Sequence, residues 1–221
     1  MTVQFTPQNI ALTILLFFML VSIHEWGHYF FAKRAGILVR EFAIGFGPKL
    51  FSFRRGETRY TLRLLPFGGY VRMAGEDPEN VAVQPGQTIA VETNPEGAVH
   101  RIYLDRIDER ADAVRGEVVQ IDLERRLPLR LDVGGEIEEY AVDPKAVTVA
   151  RGQETQIAPI DRQFAGKPVG KRAMAIFAGP MMNIVLAAAL FIAFAFMSGV
   201  AIGAAVHRVV AGEPAEAAGM R

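Results

Sequence analysis

The sequence predicts an α+β membrane protein in which two transmembrane helices bracket a partly β segment. Three observations carry this. Two apolar runs, residues 10–32 and 173 to about 197, are each long enough to cross a bilayer. Between them lie short stretches rich in β-branched and aromatic residues and punctuated by glycine. Formal charge is zero, 24 basic against 24 acidic residues, yet residues 76–165 hold ten Lys and Arg against nineteen Asp and Glu. The remainder is therefore net basic, and its positive residues flank the apolar runs without forming a polybasic stripe. That distribution speaks for a lipid bilayer as partner and against nucleic acid. There is no cysteine in the 221 residues. Disulfides and thiolate metal sites are excluded, and a metal would have to be held by His, Asp or Glu.

The first element, 1–35, reads as a transmembrane helix. Its 23-residue apolar run would be about 35 Å long, against ~30 Å of hydrocarbon. A signal peptide fits poorly, because no Lys or Arg precedes the run and no small-x-small site follows it. Segment 36–75 contains the strand-like runs EFAIGF, KLFSF, TRYTLRLL and GYVRM, with RRGE as a turn between the second and third. Gly45, Gly47, Gly68 and Gly69 punctuate them and permit tight geometry. The acidic insertion, 76–165, reads as soluble and partly β. PLRLDVGGEIEEYAV and KAVTVARGQETQIAPI are predicted hairpins, YLDRIDERADAVRG an exposed helix or linker, and GEDPENVAVQPGQTIAVETNPEG a loop. Segment 166–206 holds the second, uncharged span, where Gly179 and Pro180 are expected to bend or locally open the helix. Lys33, Arg34 and Arg40 follow the first span, while Lys167, Lys171 and Arg172 precede the second. Loop 36–170 is therefore expected in the cytoplasm and both termini outside.

Residues 24–28 read His-Glu-Trp-Gly-His. On a helix, positions four apart share a face, so the two imidazoles converge on one point. Two neutral ring nitrogens suit Zn²⁺, with the intervening glutamate as general base towards water activated by the metal. A pair of core histidines is the plainer reading. In a lipid-embedded helix, however, each charge costs at least ~2.5–3.5 kcal/mol, and three polar groups in five residues need a partner. The expected metal ligands are thus His24 and His28, and the expected catalytic base is Glu25. A catalytic zinc usually has three protein ligands. His100 and His207 read as stray surface histidines, and the second span holds no Asp or Glu. Trp26 reads as packing.

The HEWGH helix, the following EFAIGFGPKLFSFRRGETRYTLRLLPFGGYVRM and the later FAGPMMN together resemble the site-2 protease family of intramembrane zinc metalloproteases, in particular its bacterial branch that cleaves anti-sigma factors. The resemblance covers residues 10–75 and 160–221. It implies a multi-pass protein of the bacterial inner membrane that hydrolyses peptide bonds within transmembrane segments of single-span proteins such as anti-sigma factors, in regulated intramembrane proteolysis. By the same resemblance, the strands of 36–75 form a membrane-reentrant β-sheet whose edge receives substrate in extended form. Strand addition would satisfy the backbone groups of an unwound substrate, and Gly68 and Gly69 are the candidate guiding positions. Asn183 needs a partner within the bilayer: substrate backbone, a zinc-site residue or a neighbouring helix. Its helix would lie next to the active site, so it joins the substrate-guiding candidates. Ala178 and Gly179 read as close helix packing. The family's third ligand is an aspartate on a later span, expected beyond Arg221. The tail VHRVVAGEPAEAAGMR resembles the opening of a PDZ domain, so 207–221 is expected to be the start of a truncated one. Residues 1–221 alone are then expected to show weak or no activity. A non-catalytic membrane scaffold or a metal-binding membrane protein is the alternative.

Overall fold

The computed structural model describes residues 6–76, 83–110 and 112–199. The expected PDZ-like start at 207–221, and the end of the second span at 200–206, lie outside the described residues. The chain divides into two units, Met1–Asn183 and Ile184–Arg221.

Helix α1, Pro7–Arg34, starts where the Thr6 hydroxyl accepts from the Asn9 amide and Pro7 occupies the first turn. It ends with Lys33 and Arg34, whose charges suit the negative end of the helix dipole. Helix α2, Val169–Ser198, runs without interruption through Pro180. The proline removes one hydrogen bond, and of the two expectations at Gly179–Pro180, a bend or a local opening, the opening does not occur. Both helices are long and apolar enough to cross a membrane, and almost none of either apolar stretch is buried in protein. A helix from a soluble core would be covered. In the second unit, Ile184, Val185, Phe191, Phe194 and Phe196 are all exposed.

Strands β1, Val39–Arg55, and β2, Thr58–Met73, pair antiparallel. The four strand-like runs are two long strands folded back on themselves. Residues 41–44 pair on one side with 59–62 and on the other with 69–72, while 51–55 pair with 58–62. The bend needs backbone that L side chains rarely adopt: Gly45, Gly47 and Gly68 have φ of 87°, 80° and 86°. Residues facing one another share a side of the sheet. The row Phe53, Tyr60, Phe42, Val71 therefore lies on the side that meets α1. There Tyr29 packs edge-on against Phe42 and its hydroxyl hydrogen-bonds Tyr60 at 2.6 Å. Near the end of α1, Ala32, Ala35, Ile37, Val39, Val71 and Ala175 form a buried cluster.

The insertion is a six-stranded sheet, β3 (Thr88–Thr93), β4 (Val99–Tyr103), β5 (Val114–Ile121), β6 (Pro128–Val133), β7 (Glu136–Ala150) and β8 (Gln153–Gln156), ordered β4-β3-β5-β6-β7-β8. A parallel pairing of β4 with β7 closes five of these strands into a ring. Ile89, Val91, Ile102, Val118, Leu129 and Leu131 fill its interior. Both hairpins form, sharing the long β7. The stretch expected as loop contains β3, because TIAVET places Ile89 and Val91 in this core. Among the described residues, YLDRIDERADAVRG runs from the end of β4 to the start of β5 with one 3₁₀ turn, Ile107–Glu109, between them.

The insertion is tied to the hairpin by ions. Arg162 donates to both carboxylate oxygens of Glu57, at 2.8 and 2.6 Å, and Gln156 donates to one of them at 2.8 Å. Chiefly through the Arg162 bonds, the Glu57 carboxyl is held down at about 2 from its ordinary 4.5. A carboxyl depressed on folding stabilises above its unfolded pKa, and that stabilisation is lost as pH falls from about 4.5 towards 2. Glu57→Gln is expected to cost roughly 1 kcal/mol near neutrality, about 2–4 °C in Tm. The difference should shrink below pH 4.5, and thermal melts of both proteins across that range check it.

Candidate metal centre

His24, Glu25 and His28 all lie in the second half of α1, and the four-residue spacing brings the imidazoles together. The rings meet edge to face with centroids 4.9 Å apart. Their Nε2 atoms are 3.2 Å apart. Two nitrogens bound at 2.0–2.1 Å with a tetrahedral angle between them would be about 3.3–3.4 Å apart. The pair is thus spaced as two ligands of one ion.

The outward nitrogens decide the protonation pattern. His28 Nδ1 lies 2.7 Å from the carbonyl oxygen of Ala175. A carbonyl only accepts, so Nδ1 carries the proton and the neutral ring keeps its Nε2 lone pair for a metal. His24 Nδ1 lies 3.2 Å from the side-chain amide of Asn183, whose Oδ1 is otherwise buried without a partner. Turning the amide about its last bond sets Oδ1 against Nδ1. His24 then donates from Nδ1 and also frees Nε2, while the orphaned oxygen is satisfied. Both histidines are therefore oriented by α2, one through backbone and one through a side chain.

Two glycines let α2 come this close. A Cβ at Gly27 would lie 2.6 Å from the Ala178 carbonyl oxygen and 2.8 Å from Met182 Cγ. A Cβ at Gly179 would overlap His28 Nε2 and lie 2.7 Å from His24 Nε2. Gly179 therefore leaves open the space at the two donor atoms. The donor set and this space fit a zinc ion. Among the described residues, no third His, Cys, Asp or Glu joins the pair to complete a three-ligand site.

The sheet supplies the remaining wall. A Cβ at Gly69 would lie 2.8 Å from Glu25 Cγ, 2.8 Å from the Ala43 carbonyl oxygen and 3.3 Å from Val21. Gly68, by contrast, faces the Phe46 ring. Residues 69–73 pair on one side only among the described residues, so an open strand edge runs beside Glu25. Trp26 stacks on Phe30 at 5.3 Å on the exposed side of α1. His100 lies on β4, near Glu92 at 3.9 Å and away from this site.

The profile of peptidase family M50 matches residues 12–215. The chain belongs to peptidase family M50. Curated relatives of this M50 chain include the zinc metalloprotease RasP of Oceanobacillus iheyensis, 50% identical over 212 residues. That match covers 94% of the chain and 50% of the relative. The regulator of sigma-W protease RasP of Bacillus subtilis is 46% identical over 190 residues, 85% of the chain and 45% of the relative. The M50 chain spans about half the length of the curated relatives it matches.

Two groups beside the paired histidines carry little signal in the sequence. The Ala175 carbonyl belongs to a residue without a functional side chain. Gly179 reads as a packing glycine, and only the AGPMMN context hinted at more. Asn183 meets His24, a candidate metal ligand and so one of the three kinds of partner open to it from sequence. Asn183→Ala is expected to lower zinc affinity roughly tenfold or more by freeing the His24 ring. Competition with a chromophoric chelator reads this directly.

Proposed function

We propose that this chain carries the zinc-binding helix and substrate edge of an intramembrane metalloprotease acting on single-span membrane proteins, anti-sigma factors among them. The observation that carries the reading is the convergence of His24 and His28 Nε2 at 3.2 Å beside Glu25, within a helix apolar enough to span a bilayer. The relatives' names, zinc metalloprotease and regulator of sigma-W protease, support it.

His24 and His28 would hold the zinc through Nε2, with His28 oriented by Ala175 and His24 by Asn183. When bound, zinc would polarise a scissile carbonyl and acidify water. Glu25 takes the proton from the attacking water on its carboxylate and returns it to the leaving nitrogen. The relatives are about twice as long, and we propose that a third ligand comes from the counterpart of their remaining half.

We also propose that the β1–β2 sheet re-enters the bilayer from the cytoplasmic side. Val39 clusters with Ala32, whereas Gly69 lies against Val21. Ala32 and Val21 are eleven helical positions apart, so the sheet runs back along α1 by roughly 16 Å. Its far end exposes Phe46, Leu50, Leu64, Leu65 and Phe67. With loop 36–170 cytoplasmic and both termini outside, this end lies within the hydrocarbon. The free edge at 69–73 would then pair with an unwound substrate strand and present it to Glu25.

Gly69→Ala tests that step in a protein of the relatives' length carrying these residues. The added Cβ presses on Glu25 and the Ala43 carbonyl, so cleavage of a single-span substrate should fall at least about tenfold. Zinc content should be unchanged. Wild-type cleavage rates in Gly69→Ala would remove the edge from the mechanism.

A further inference from the structure

We propose that the face of the β1–β2 sheet opposite α1 binds the headgroup of an anionic phospholipid of the cytoplasmic leaflet. This rests on the membrane placement of the sheet proposed above.

Register shows what is unusual about this face. Arg54 stands opposite Arg59, Arg59 opposite Glu41, and Glu41 opposite Arg72, making one row across four segments. Further along, Lys49 stands opposite Arg63. Like charges directly opposite one another destabilise a sheet, and here two such pairs share one face. The residues line a cleft of about 560 Å³, closed on another side by the β7–β8 turn at Gly152 and Gln153.

The carboxylates of the cleft do not neutralise it. Glu41 accepts from Thr61 at 2.7 Å and pairs with Arg63 at 3.8 Å. Glu57 is held by Arg162, and Glu154 pairs with Arg101 at 3.2 Å. The side chains of Lys49, Arg54, Arg59 and Arg72 have no hydrogen bond or ion pair among the described residues, and all four residues are exposed. Arg63 Nε is buried without a partner. The cleft thus offers several unneutralised donors to an anion.

Its surroundings favour a lipid over a soluble anion. Leu50, Phe51, Leu64 and Phe67 are exposed at the far end of the same sheet, where acyl chains would lie. Basic groups at a cytoplasmic membrane surface are attracted to anionic lipid. A phosphodiester seated between Arg54, Arg59, Lys49 and Arg72 would relieve both like-charge pairs, with its chains running towards the apolar end.

The test uses the purified 221-residue chain in detergent with equimolar phosphatidylglycerol and phosphatidylcholine, and native mass spectrometry counts the retained lipids. Wild type should prefer phosphatidylglycerol by roughly tenfold. The variant Lys49→Gln, Arg54→Gln, Arg59→Gln, Arg72→Gln should lose that preference. Replacing the three arginines by lysine should keep most of it. The substituted side chains make no hydrogen bond or ion pair, and circular dichroism checks that the fold is retained. Equal retention of both lipids by wild type, or an unchanged preference in the glutamine variant, overturns the proposal. So does a glutamate-rich peptide that displaces the lipid, which would assign the cleft to an acidic peptide. Membrane placement is read separately, by quenching of Trp fluorescence from Phe67→Trp in a Trp26→Phe background with brominated acyl chains. Quenching together with a failed lipid preference would leave the placement standing and this inference refuted.

Discussion

Glu25→Gln should leave zinc bound and lower cleavage by about 10²–10⁴-fold, the range that positioned acid–base groups contribute. The substitution keeps the shape of the side chain and removes only its ability to accept a proton. Glu25 is not one of the two convergent donors, since the short distance joins His24 and His28 Nε2. Metal content should therefore match wild type, and that separates loss of the base from loss of the site. The assay is turnover of a single-span substrate by a protein of the relatives' length, alongside zinc per chain. Near-normal turnover would remove Glu25 from the chemistry.

Gly179→Ala is expected to fail in the opposite way, by losing the metal. Alanine is the better helix former by about 1 kcal/mol, so helix propensity alone predicts a benign or stabilising change. The structure predicts the reverse for function, because the methyl group would occupy the space at both donor nitrogens. The rings can escape only by rotating, which breaks the His28 bond to Ala175 or the His24 contact with Asn183. Zinc affinity should fall at least 10–100-fold, the scale of losing a supporting partner, and cleavage should fall with it. Zinc per chain after purification, followed by chelator titration, reads the effect. Full occupancy in Gly179→Ala would show that the ion sits elsewhere.

These two residues mark what was legible in the sequence. His24 and His28 are four apart on one helix, so their convergence is local geometry and the spacing announces it. Both apolar helices are legible for the same reason, since length and composition suffice. The strand-like runs of 36–75 were visible, but their folding into two doubled strands depends on Gly45, Gly47 and Gly68 adopting positive φ, and a glycine in a sequence does not declare its φ. The ring closure of the insertion was hidden because β4 and β7 are parallel and distant in sequence. TIAVET was lost to its Pro- and Gly-rich neighbours until the core claimed it. The Ala175 carbonyl is beyond sequence reading altogether, being a backbone group chosen by the packing of α2 on α1.

Zinc-dependent cleavage inside the bilayer is read most directly by mapping, by mass spectrometry, the products of a single-span substrate co-reconstituted in liposomes with a protein of the relatives' length. The expected product is a cut within the substrate's apolar span that disappears on chelation and returns with added zinc. A cut outside the span, or cleavage undiminished by the chelator, would contradict it.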